Sequence, residues 1–128
     1  VEYDNLDSYT RSQGYLSKAN MIAFAKMLVS ASKKFGMFAA QKNLSELGTQ
    51  GRDEIGFAFA IAEECYRWDS CKAYVDVYGD QVIDIEYTDD LRESFSKICA
   101  SKHRPKATIL RDRKLLKQGE NGYAYKRC

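Results

Sequence analysis

The chain has 128 residues, 45% of them apolar and 30% charged, which suits one globular domain and is too apolar for a disordered segment. Its 20 basic and 18 acidic residues leave a net charge of +2, a balance that points to neither nucleic acid nor an anionic membrane as partner. No apolar run approaches the ~20 residues of a membrane-spanning helix.

In chain order, Val1-Glu2-Tyr3-Asp4 reads as the end of a strand, so the sequence is expected to be a piece of a longer chain. The lack of a signal peptide then says nothing about compartment. Residues 6–16 are rich in Asp, Ser, Gly and Tyr and read as a loop. Ser17 is placed to cap a helix over about 18–35. Its Met21, Phe24, Ala25, Leu28, Ala31 and Phe35 recur at three-four spacing, which predicts one stripe facing a core, and Gly36 is the stop. Residues 37–40 predict a second strand ending in Gln41-Lys42-Asn43. Residues 44–54 predict a short helix or turn broken by Gly48 and Gly51.

Residues 57–62 form a third predicted strand, apolar on both faces, that ends abruptly in Glu63-Glu64-Cys65. A helical turn follows over about 69–78, then a fourth strand over 82–87. Thr88 or Asp89 caps a helix over about 90–101, with Leu91, Phe95, Ile98 and Cys99 on its buried face. Residues 107–110 predict a last strand, followed by a polar tail to Cys128. The alternation of strands and helices predicts the α/β class, with parallel strands joined by right-handed crossovers. No strand is followed by a glycine-rich phosphate loop, so a dinucleotide site has no support.

The four cysteines are Cys65, Cys71, Cys99 and Cys128. None makes a C-x-x-C pair, which argues against a zinc ribbon. The even count, with a cysteine tying down the last residue, favours two disulfides in an oxidising compartment, with Cys65–Cys71 and Cys99–Cys128 the preferred pairing.

Acidic residues gather where the strands end: Glu2 and Asp4, then Glu63 and Glu64, then Asp84 and Glu86 with Asp89 beyond. Active sites of parallel α/β proteins collect at that edge. A strand has period two, so Glu2 and Asp4 share a face, as do Asp84 and Glu86, while Glu63 and Glu64 point opposite ways. Carboxyl groups that meet push each other's pKa values apart, leaving one as acid and the other as base or nucleophile. Glycoside hydrolysis needs such a pair, with no cofactor and no metal.

Several blocks carry a resemblance. Glu2-Tyr3-Asp4-Asn5-Leu6-Asp7-Ser8-Tyr9 resembles the E-x-D-N-x-D-x-Y segment of glycoside hydrolase family 114, the endo-α-1,4-polygalactosaminidase type. Gln41-Lys42-Asn43 is similar to that family's next strand end. The stretch from Phe57 through Ala62, Glu63-Glu64-Cys65-Tyr66, Asp69 and Cys71 resembles its F-x-F-A-x-x-E-E-C-x-x-x-D-x-C signature. Asp84-Ile85-Glu86-Tyr87 and Ile109-Leu110-Arg111-Asp112-Arg113 look like its last two blocks. The resemblance implies a secreted TIM (β/α)₈ barrel that cleaves α-1,4-linked galactosamine polymers, with this chain as its C-terminal half, strands five to eight. The missing N-terminal half is then a required partner. Tyr3 stands where the family often has Pro, Ala62 where an Asn often precedes the glutamates, and residues 103–106 lack its usual glycine turn.

On this reading Asp4 and one of Glu63 and Glu64 are the catalytic acids, with Glu63 favoured because it shares the face of Phe57, Phe59 and Ile61. Glu2, Asn5, Tyr9, Lys42, Asn43, Tyr66, Trp68, Glu86 and Tyr87 are expected near substrate. Within that set Lys42 is also expected to pair with nearby acids, and Asp84 and Glu86 to support the site or pair with Lys42 or Arg111. A de-N-acetylated galactosamine polymer is polycationic, so an acidic cleft with aromatic faces suits it. Two rivals remain: a Mg²⁺-dependent phosphoryl-transfer domain, which chelation would inactivate, and a non-catalytic carbohydrate-binding relic.

Overall fold

A computed structural model describes residues 1–128, which divide into two compact units, 1–61 and 62–128. Strand β3 (Phe59–Glu63) crosses the division.

In the first unit, β1 (Glu2–Tyr3), β2 (Ala40–Lys42) and the start of β3 lie side by side and parallel. Ala40 pairs with Glu2 on one side and with Phe59 on the other. β2 and β3 begin later than hydropathy predicts, at Ala40 and Phe59, and end among the polar residues expected there. Their ladders carry Gln41, Lys42 and Glu63 as strand residues, because backbone pairing rather than side-chain polarity sets where a strand stops.

One turn of helix, α1 (Ser8–Arg11), forms inside the expected loop, helped by an ion pair between Asp7 and Arg11. The long helix α2 (Lys18–Lys34) starts at Ser17, whose hydroxyl accepts from the Asn20 amide while the Asn20 side chain accepts from the Ser17 amide. It stops at Phe35, and Gly36 follows at φ 69°, a left-handed turn that glycine takes without strain.

The predicted core stripe on α2 is corrected. Its buried line is Ala25, Val29 and Ser32, while Phe24 is 60% and Phe35 79% exposed. The inward line is narrower than the apolar surface: Met21 and Leu28 are half-buried, and Ala31 is exposed. Ser32 is satisfied inside by donating to the Leu28 carbonyl and by a 2.5 Å bond to the Tyr3 hydroxyl.

Beyond β2 the expected helix resolves into a 3₁₀ turn (Ser45–Leu47) and a π turn (Gly51–Ile55). The glycines fall at the joins, as their conformational freedom allows.

In the second unit β4 (Val82–Tyr87) pairs in parallel with β5 (Ala107–Arg111), and β6 (Tyr125–Arg127) pairs antiparallel with β5. β6 is an addition to the predicted elements, since Tyr125-Lys126-Arg127 is exposed throughout and has no apolar pattern to read. Helix α3 is Cys71–Tyr78 and buries Tyr74, Val77 and Tyr78. Helix α4 is shorter than predicted, Phe95–Ala100, because residues 88–94 form turns before Ser94. Its Phe95 and Ile98 pack on Leu110 of β5, with Tyr66, Leu91 and Cys99 around them. Both expected disulfides, Cys65–Cys71 and Cys99–Cys128, are present.

Candidate active site

Three strands end in the same backbone device. Asn5 after β1, Asn43 and Leu44 after β2, and Glu64 at the end of β3 all have positive φ, at 56°, 53°, 60° and 59°. Asn tolerates this left-handed region, whereas Leu and Glu enter it at a cost on the order of 1 kcal/mol. Surrounding bonds hold these turns: the Gln41 side-chain amide donates to the Asn43 and Leu44 carbonyls at 2.9 Å each. Strain of this kind clusters where a chain must aim side chains rather than merely turn.

In the first unit, Asp4 leaves β1 exposed to solvent, and its Oδ1 accepts from the Asn5 amide at 2.7 Å. The buried Lys42 ammonium lies 3.7 Å from both Asp4 and Glu2, the pairing its position predicts. The Asn5 side chain accepts from Arg11. Asp4, Asn5 and Tyr9 line an open groove of about 510 Å³ whose other wall is apolar, with Leu16, Met21 and Phe24.

In the second unit the two glutamates have different company. Tyr87 of β4 is buried, and its hydroxyl donates to Glu63 Oε1 at 2.6 Å. Burial, and then the Glu63 carboxyl, push the Tyr87 phenol well above its ordinary pKa, so it stays a proton donor. Glu64, in its left-handed turn at the end of β3, forms an ion pair with Arg113 at 2.7 Å. Arg113 also holds Asp89 at 2.9 Å and lies over the Tyr87 ring, 4.3 Å from its centroid. The Arg113 bond keeps the Asp89 carboxyl below the usual range. Arg113 thus bridges Glu64, Asp89 and Tyr87. The sequence gives little warning of it, because it sits two residues past a strand end in a run of basic residues.

Glu86 and Tyr87 were both expected near substrate, but alternation along β4 separates them. Tyr87 reaches Glu63, while Glu86 shares the opposite face with Val82 and Asp84. That face is the helix-covered one, since Glu86 pairs in register with Leu110, which packs under α4. Asp84 and Glu86 are both 0% exposed. Asp84 Oδ1 accepts from the Cys65 amide at 3.2 Å and Glu86 Oε1 from the Tyr66 amide at 2.9 Å. Burial, and then the neighbouring Glu86 charge, raise the Asp84 pKa to about 8; burial raises Glu86 as well.

The Cys65–Cys71 disulfide closes the loop after Glu64. Within it Trp68 is 64% exposed with the Arg67 guanidinium over its ring, whereas Tyr66 packs toward α4. Cys65, Cys71 and Asp84 lie close together, but both sulfurs are consumed by the disulfide and offer no thiolate to a metal. His103 is exposed in its loop.

Parallel α/β strands that deliver carboxyl groups to their C-terminal ends, held by tyrosine, arginine and lysine, have the make-up of barrel-type glycosidases. The chain belongs to glycoside-hydrolase family GH114, which it matches over residues 1–128. Its fold is similar to that in the crystal structure of Aspergillus fumigatus Ega3 in complex with galactosamine, with a TM-score of 0.74 and 21% identity. That match takes in 100% of this chain and 53% of the Ega3 chain, so the chain spans about half the length of that protein and has the architecture of part of a (β/α)₈ barrel. No curated protein sequence matches.

Proposed function

We propose that this chain supplies the catalytic carboxyl groups of an endo-acting glycoside hydrolase for α-1,4-linked galactosamine polymers, as the C-terminal half of its barrel. Family membership and the likeness to a galactosamine-bound enzyme support the substrate class. The observation that carries the chemistry is the Tyr87 hydroxyl set on Glu63 beside the Arg113–Glu64 ion pair. Glu64 is tied to Arg113, which engages its carboxyl in an ion pair. Glu63, which accepts from the Tyr87 hydroxyl and shares its strand face with Phe59 and Ile61, is the proton donor, and Asp4 is the second carboxyl of the reaction.

Glu2, Asn5, Tyr9, Asn43 and Trp68 are proposed substrate contacts, with Lys42 holding Asp4 and Glu2 in place rather than meeting a cationic sugar. The exposed Trp68 ring suits a sugar face. Secretion is supported by the two disulfides, which persist in oxidising compartments. No helix is long and apolar enough to cross a membrane.

The test is hydrolysis of a de-N-acetylated α-1,4-galactosamine polymer by the full natural chain and its Asp4→Asn and Glu63→Gln variants. Each variant should lose on the order of 10²–10⁴-fold in kcat. Undiminished cleavage in both would overturn the assignment.

A further inference from the structure

The left-handed residue at Glu64 is the least natural feature of the site, because a glutamate gains nothing from that conformation. Something outside the turn must hold it. The amides that follow it, Cys65 and Tyr66, both point at one face of β4, where Asp84 and Glu86 stand two residues apart. Each carboxyl uses one oxygen on the turn. Their other oxygens, Asp84 Oδ2 and Glu86 Oε2, are buried with no hydrogen-bond partner. Two ionised carboxylates so placed would repel each other out of reach of water, and a buried unpaired oxygen costs several kcal/mol by rough estimate.

We propose that Asp84 and Glu86 are positioning residues that grip the Glu63–Glu64 turn from the helix-covered side, with one proton held by the pair. The inference rests on the glycosidase reading for its catalytic meaning. Neither residue meets substrate. Glu86 fixes the Tyr66 amide, Asp84 fixes the Cys65 amide, and together they hold Glu64 in its left-handed turn, so that Glu63 reaches Tyr87 and Glu64 reaches Arg113. The retained proton removes most of the repulsion within the pair. The raised affinity of Asp84 for its proton fits this, as does the charge of Glu64 nearby, which pushes Glu86 the same way. From β5 the pair faces Thr108, which carries no charge.

The test compares Glu86→Gln with Glu86→Ala in the full natural chain, by kinetics on an α-1,4-galactosamine polymer and by hydrogen exchange at the Tyr66 amide. Gln keeps an acceptor for that amide and Ala does not. Glu86→Ala should lower kcat by about 100-fold at nearly constant KM, as a small misplacement of a reacting group does. The Tyr66 amide should lose protection in the same variant. Glu86→Gln should recover most of both. Equal loss in the two variants, or a rise in KM alone, would overturn the positioning role. If the unaltered chain cleaved no galactosamine polymer, the glycosidase reading would fall. The exchange data would still decide whether the pair holds the turn, since loss of protection in Glu86→Ala alone supports it and unchanged protection refutes it.

Discussion

Tyr87 binds Glu63 through its hydroxyl at 2.6 Å and lies beneath Arg113 through its ring at 4.3 Å. One side chain therefore sets the proton environment of one glutamate and supports the cation that neutralises the next. Replacing Tyr87 with Phe keeps the ring and removes only the donor. Hydrogen bonds to charged groups contribute about 1.5–3 kcal/mol, so Tyr87→Phe should lose about 10- to 100-fold in kcat while the fold is unchanged. Steady-state kinetics beside a thermal melt separates this from misfolding. A loss of activity matched by a fall in melting temperature would assign the bond to stability alone.

The ion pair at Glu64 makes a sharper comparison. Glu64→Gln removes a charge that Arg113 already neutralises, so it should cost about tenfold or less, well short of the loss in Glu63→Gln. Initial rates of polymer cleavage measure both. A larger loss at Glu64 would exchange the two roles.

Stability should respond to pH through Asp84. Burial, and then the neighbouring Glu86 charge, raise its pKa from 3.8 to about 8 in the fold. Between those values the folded chain holds a proton that the unfolded chain has released. The contribution is intact below about pH 4 and is lost as pH rises to about 8. Asp84→Asn has no such proton, so its stability relative to the unaltered chain should improve steadily across that window and level off above it. Denaturant unfolding at several pH values gives the difference directly. A flat difference would mean that Asp84 is ionised throughout.

Cys99 and Cys128 close a loop across 29 positions. Chain-entropy arguments give about 2–4 kcal/mol for a closure of that length. Cys128→Ser should therefore lower the unfolding midpoint and loosen the tail. The Asp112 carboxyl, which accepts from the Leu116 and Ala124 amides, should remain as its other anchor. Hydrogen exchange over residues 116–128 reports the loosening.

Chelation should leave polymer cleavage intact, since the proposed chemistry uses only carboxyl groups. Added salt should weaken substrate affinity, because a polycationic chain is drawn to Glu2, Asp4, Glu63 and Asp89 over a screened distance. Activity that vanished with EDTA and returned with Mg²⁺ would favour phosphoryl chemistry instead.

Much of this arrangement is legible before any coordinates. The β4 strand, the Ser17 cap and the Gly36 stop follow from local rules that tertiary contacts do not disturb, while the preferred disulfide pairing, one of three open to four cysteines, is the one present. Period two correctly places Asp84 with Glu86 on one face of β4, but it does not govern Glu64, which leaves β3 in a left-handed turn. It cannot say which face a helix will cover, and that decides whether Glu86 meets a ligand or a backbone amide. The stripe on α2 fails for a related reason. Periodicity finds an apolar surface, but only packing shows that Ala25 and Val29 go inward while Phe24 and Phe35 do not. Arg113 is out of reach of any pattern, because its role depends on a β5 register that brings it beside β4.

The strand Tyr125–Arg127 has one more effect. A strand offers hydrogen bonds along two margins, and both margins of β5 are already occupied, by β4 and by β6. Residues 109–111 therefore pair on both sides, and Cys128 fastens β6 to α4 through a covalent link. Thiol reductants would therefore do more than relax the tail: they would free β6 to leave the outer margin of β5 unpaired.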